Sequence, residues 1–201
     1  MSSKRYLFAL LLAAGWSAIG PAKPAAKPGV DEIISLTRNT TATYAAYSVT
    51  HLYDPVVSND QTAEFHSGHL HRVETPLDRV IANCETGEGY HFRIPEGVTR
   101  SDPSVAKSAC GIDANRTLLS KQITATRSGK FGVTWRLIVT DPYYIRGYDV
   151  TDKGVIVAAF VRNNDEEKTL LLQAQAYRVT PTLPDKDMFS RESLNRSFLP
   201  R

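Results

Sequence analysis

The sequence predicts an α+β chain in which antiparallel strands dominate. Three observations carry that expectation. Segments with apolar and polar residues alternating at period two recur along most of its length. They are separated by short turn signals such as Asp54-Pro55, Asp141-Pro142 and Asp152-Lys153-Gly154. A helical start is clear near Asp31, where an acidic residue precedes Ile33, Ile34 and Leu36.

Taken in order, the first helix runs from Asp31 until Asn39 and Thr40 to Thr43 end it. From Thr43 to Tyr53 the pattern turns β-like, with Tyr47, Val49, His51 and Tyr53 on one face. Phe65 to Glu74 and Asp78 to Cys84 read as two further strands around Thr75-Pro76, and Tyr90 to Ile94 as another after Gly87-Glu88-Gly89. The C-terminal half reads as a meander: Thr117 to Thr126, Phe131 to Thr140, Tyr143 to Val150, Val155 to Arg162 and Lys168 to Thr180. In the last of these Leu170, Leu172, Ala174 and Ala176 oppose Gln173, Gln175 and Tyr177, which gives one buried face and one wetter face. The expected total is eight or nine strands with one or two helices. The tail from Pro181 keeps Met188, Phe189, Leu194, Phe198 and Leu199, enough apolar surface to dock as a strap on the domain.

The first residues read as an export signal. Lys4 and Arg5 precede an uncharged apolar run from Tyr6, and Gly20-Pro21-Ala22 supplies small residues for cleavage after Ala22. The run is short of the ~20 residues that span a bilayer. Residues 23–30, rich in Ala and Pro, read as a linker, and 31–201 as a single β-rich domain in the periplasm or outside the cell. Processing removes Lys4 and Arg5 from 24 basic residues and leaves 22 against 21 acidic, a net charge of +1. That balance offers no electrostatic case for nucleic acid. No later apolar stretch exceeds Val155 to Val161, so no transmembrane segment is expected after cleavage.

Cys84 and Cys110 are an even pair in an exported chain, which favours one disulfide over two free thiols. All five histidines fall between His51 and His91. On a strand His69 and His71 share a face, and His91 reaches them from a neighbour, a set that suits zinc or copper. Partly exposed strand histidines are the alternative. No nucleophile elbow, phosphate loop, dinucleotide fingerprint or zinc-protease helix appears, and no cofactor is implied, so binding is favoured over catalysis.

The order of signal, N-terminal helix and long meander resembles the LolA-like superfamily, the periplasmic lipoprotein carriers and related sigma-factor regulatory proteins. Ser67-Gly68-His69-Leu70-His71-Arg72-Val73-Glu74-Thr75-Pro76-Leu77-Asp78-Arg79-Val80-Ile81-Ala82 looks like the family's second and third strands, a basic residue and a Pro-bearing turn before a strand of β-branched residues, and Tyr148 to Ile156 is similar to its late Asp-x-x-Gly hairpin. The resemblance implies a strongly curved meander sheet, an incomplete barrel, with one or two helices on its concave face. It implies an apolar or amphiphilic, lipid-like ligand held between sheet and helices. Arg72 would position a lid or a ligand headgroup, unless it is an exposed strand arginine; Tyr90, Phe92 and Trp135 would line the site, unless they are ordinary core. The expected function is an exported carrier-type binding protein. The alternatives are a metal-binding protein or metal-dependent enzyme using the histidines, and an envelope regulator with a protein partner.

Overall fold

The computed structural model describes residues 28–53, 57–112 and 117–200. The expected signal, most of the linker and the Asp54-Pro55 turn lie outside the described residues. Helix α1 spans Val30–Asn39 and begins at Gly29, two residues before the expected Asp31 cap. Eleven strands follow: β1 (Tyr44–Leu52), β2 (Ser58–Ser67), β3 (Leu70–Glu74), β4 (Asp78–Asn83), β5 (Glu88–Arg93), β6 (Gly97–Arg100), β7 (Ser120–Gly129), β8 (Gly132–Thr140), β9 (Tyr144–Thr151), β10 (Ile156–Asn163) and β11 (Leu170–Thr180). Helix α2 (Pro103–Ser108) stands between β6 and β7, and the 3-10 turn Glu192–Asn195 lies in the tail.

All the strands form one antiparallel sheet in the order β6-β5-β4-β3-β2-β1-β11-β10-β9-β8-β7. Two meanders therefore meet where β1 pairs with β11, and the chain passes from one sheet edge to the other through α2. The sheet curls, because the β7–β8 turn comes back to β11, where Lys130 Nζ donates to the Tyr177 carbonyl at 2.7 Å.

Both helices pack on one face, as strand alternation defines it. Ile33 of α1 seats among Leu137, Val139 and Val150, and Ala106 of α2 sits on Ala82 beside the Cys84–Cys110 disulfide. Thr37 Oγ1 accepts from the Ile112 amide at 3.1 Å, which couples α1 to the chain leaving α2. The tail takes the opposite face, where Met188 is fully buried against Ala45, Tyr47, Ala63 and Phe65.

Three differences from the sequence reading have local causes. The expected single strand Phe65–Glu74 is a hairpin: Ser67 pairs with Leu70 around Gly68-His69, with Gly68 at φ +60° in the first loop position. Ser58 to Thr62 is too polar to stand out as a strand, yet it completes β2 by pairing with β1, where the Thr50 and Thr62 hydroxyls meet at 3.0 Å. Strand β6 is only four residues, and α2 begins with Asp102-Pro103, a proline at the first helical position. Hence eleven strands rather than eight or nine.

Candidate functional site

The curl and α1 together leave a cleft of about 980 Å³ at one end of the helix-bearing face. Leu36 from the last turn of α1 forms one wall, and Phe131 from the β7–β8 turn another. Tyr44, Val155 and Val179 form the floor, with Ala42 between them. Tyr44 and Val155 belong to one buried apolar cluster with Ala46, Val157 and Ala176, against which Phe131 and Val179 pack. The rim is fixed by a hydrogen bond from Thr40 Oγ1 to the Lys153 carbonyl at 2.7 Å, which pins the end of α1 to the β9–β10 turn. The cleft is thus bounded by a helix end and two hairpin tips over a floor of sheet, and its walls are mainly apolar.

Behind Tyr44 lies a buried polar cluster. The Tyr44 hydroxyl donates to Glu64, and its ring stacks on His66 at 5.3 Å between centroids. His66 Nδ1 meets the Ala42 carbonyl at 2.5 Å, and its ring meets that of His71 edge-on at 4.2 Å. Neither ring nitrogen of His71 reaches a partner with good hydrogen-bond geometry, the nearest acceptor influence being the Arg38 main chain, which partly offsets burial; Glu64 Oε1 is 3.8 Å from its Nδ1. Burial holds the His71 imidazole down to about 3, with His66 nearby adding to the effect. Burial also lowers His66 and raises Glu64, against the Tyr44 hydrogen bond that lowers it. These shifts favour uncharged side chains beneath the cleft. The His66–His71 pair escaped the sequence reading because it depends on the Gly68 turn, which places the two residues opposite each other in register; Ser67-Gly68 was the available signal.

The residues expected to line one ligand site occupy two faces. Trp135 is on the helix side, packed on the Ile33 cluster. Arg72, Tyr90 and Phe92 are on the tail side. Phe92 lies under the Arg79 guanidinium at 4.3 Å, and Tyr90, 38% exposed, faces Arg191 of the tail at 5.7 Å. None of the four lines the cleft beneath α1.

Arg72 is fully buried rather than exposed, and it holds the tail. Its Nε donates to Glu74 Oε1 at 2.6 Å. Nη1 donates to the Met188 carbonyl at 2.6 Å and to Ser193 Oγ at 2.7 Å. Nη2 donates to the carbonyls of Ser193 at 3.3 Å and Arg196 at 2.8 Å. All five guanidinium N–H groups are thereby used. Glu74 Oε2 accepts from Ser197 Oγ at 2.8 Å and from the Phe198 amide at 2.9 Å, and Arg79 Nη1 adds the Leu194 carbonyl at 2.6 Å.

The histidines named as metal ligands are dispersed. His69 sits in the β2–β3 turn, 3.7 Å from Glu85; His71 is in the buried cluster; His91 pairs with Asp78 at 3.0 Å. Among the described residues no three His, Cys, Asp or Glu side chains are grouped to hold a metal ion. None of the described helices is long and apolar enough to cross a membrane.

No protein-family model matches the sequence, and no curated protein matches it. Solved structures do. An uncharacterized conserved protein from Thermus thermophilus superposes with TM-score 0.53 at 10% identity, over 83% of this chain and 93% of that one. MucB superposes with TM-score 0.52 at 13% identity, over 80% of this chain and 62% of that one, so this chain spans less than two thirds of MucB. A LolA superfamily protein from Nitrosomonas europaea matches at TM-score 0.43 and 8% identity, over 84% of this chain and 100% of that chain. At these identities the likeness to the Thermus thermophilus protein and to MucB concerns the fold alone.

Proposed function

We propose that this chain is an exported carrier-type binding protein that holds an apolar or amphiphilic, lipid-like ligand in the cleft beneath the end of α1. The observation that carries this reading is the cleft itself: about 980 Å³ with Leu36, Tyr44, Phe131, Val155 and Val179 around it, a size suited to a small-molecule ligand. The uncharged cluster behind Tyr44 supports it, since a charged floor would disfavour an acyl chain. The resemblance of the sequence to the LolA-like superfamily supports an envelope setting, and the export signal read from residues 1–22 agrees with it. A ligand seated there touches α1 and both hairpin tips, so small movements of the helix end would admit or release it.

Binding of cis-parinaric acid tests the proposal. The protein is expected to enhance the probe's fluorescence saturably, and unlabelled palmitate to compete. Leu36→Lys places a charge on the wall and is expected to weaken probe binding about tenfold or more with little change in melting temperature. Absence of saturable enhancement, or equal binding by the Leu36→Lys protein, would refute this site. Native mass spectrometry of protein purified from its own host is expected to show a co-purifying lipid.

A further inference from the structure

The face opposite α1 carries a second concavity, of about 310 Å³, on the outer side of β7 to β11. Its chemistry differs from that of the apolar cleft. Arg127, Arg136 and Arg162 line it together with Gln173 and Gln175, and Asp149 is the acidic residue of the lining. Arg136 engages Asp149 through Nε and Nη2, which neutralises one guanidinium and leaves its Nη1 available. Arg127 Nη1 is 3.8 Å from the same carboxylate, and its side chain is 55% exposed. Three guanidiniums therefore share a lining that holds one carboxylate, and two positive charges stay unmatched in a concave polar setting.

The floor is built to hold those groups in place. The Phe160 ring lies on Gly147, so close that a Cβ at 147 would meet ring carbons at 2.0 Å, 2.4 Å and 2.7 Å. Only a residue without a side chain leaves room for the ring there. Arg136 and Arg162 both stand over that ring, at 5.8 Å and 5.5 Å from its centroid, within cation–π range. An aromatic plate thus orients two guanidiniums while Asp149 orients one of them from the side. Planar forks fixed in this way match a tetrahedral oxyanion with several acceptor oxygens better than they match a single negative charge.

We propose that this outer-face pocket binds the phosphate group of a phosphate monoester, with Arg127 and Arg162 as its principal ligands and Arg136 as an oriented third. Gln173 supplies an amide donor at its edge, while the Gln175 amide nitrogen is held by the carbonyls of Val157 and Ala176. The site is separate from the apolar cleft and does not depend on the carrier reading.

The proposal is tested by titrating inorganic phosphate, then glucose 6-phosphate, into ¹⁵N-labelled protein at low ionic strength. The side-chain signals of Arg127, Arg136, Arg162, Gln173 and Gln175 are expected to shift saturably, with binding that weakens as salt rises. Arg127→Gln and Arg162→Gln each remove one charge from the lining, leave the Arg136–Asp149 pair intact and are expected to weaken binding about tenfold. Melting temperature and spectrum dispersion check that these variants fold. Vesicles of phosphatidylcholine with phosphatidic acid separate the sources: capture of wild type but not of the double variant identifies a lipid phosphate, whereas binding of glucose 6-phosphate without vesicle capture identifies a soluble ester. Absence of saturable shifts with either phosphate, or the same shifts in the double variant, overturns the proposal.

Discussion

Replacing Arg72 with methionine is expected to cost about 3–5 kcal/mol of unfolding free energy and to release the tail from the sheet. Methionine keeps much of the stem's packing but none of the five donated hydrogen bonds. The Arg196 carbonyl loses its donor, the Met188 and Ser193 carbonyls keep one donor each, from the Ser193 hydroxyl and the Arg196 amide, and Glu74 becomes a buried carboxylate without its ion-pair partner. Leaving one member of a buried pair behind is the costly case, because desolvation persists after attraction is removed. Arg72→Met/Glu74→Met removes both charges and should recover part of the loss. Recovery stays incomplete, because the Arg196 carbonyl remains without its donor and the acceptor for Ser197 and Phe198 has gone. Arg72→Lys should fall between, since an ammonium has three donors and no planar fork. Guanidinium chloride unfolding gives the energies, and limited proteolysis after residue 181 reports the freed tail. A loss below about 1 kcal/mol in Arg72→Met, or a tail as protected as in wild type, would show that the clamp is dispensable.

The position of Arg72 illustrates what the sequence can and cannot convey. Its strand was legible, and so were the helix at Val30–Asn39, the long C-terminal meander and the docking of Met188 and Leu194. Each of those depends on a periodic pattern or on apolar residues that must find cover. Its partners were not legible, because they are main-chain carbonyls more than a hundred positions away, and a carbonyl has no sequence signature. The turn at Gly68 shows the opposite failure. One misplaced turn put His69 and His71 on a common strand face and hid the pairing of His71 with His66. The cleft is made by curl, which is a property of the whole sheet, and the register places Tyr90, Phe92 and Trp135 on other parts of it. Phe131 and Val155, which do line the cleft, lie in or beside turns where single-strand alternation says nothing.

His71 makes the stability of this fold sensitive to acid in a way that one substitution can isolate. Its imidazole is fully buried without a well-formed hydrogen bond at either nitrogen, and burial first, then the neighbouring His66, holds it down to about 3 from an ordinary 6.5 against a weaker main-chain interaction with Arg38. Between those values the unfolded chain binds a proton that the folded protein refuses. Stability therefore falls as pH drops through 6.5 and continues to fall until the folded group itself titrates near 3. From pH 7 to pH 4 the single group accounts for roughly 3 kcal/mol. Glu64 works in the opposite direction: burial raises it, so the folded protein takes up that proton more readily than the unfolded chain and gains stability on acidification. The total pH profile mixes the two, but the difference between wild type and His71→Leu does not, provided that Glu64 keeps its hydrogen bond from Tyr44. Leucine is of similar bulk and removes two buried polar atoms that lack well-formed hydrogen bonds, so the variant is expected to match or exceed wild type at pH 7. Its advantage should then grow by roughly 3 kcal/mol at pH 4. Parallel guanidinium chloride unfolding of both proteins across that range measures this directly. Parallel curves would mean that the imidazole opens to water or finds a proton acceptor as the pH falls. In that case the cluster beneath Tyr44 is not a sealed floor, and the cleft above it would present a charged base to any acyl chain.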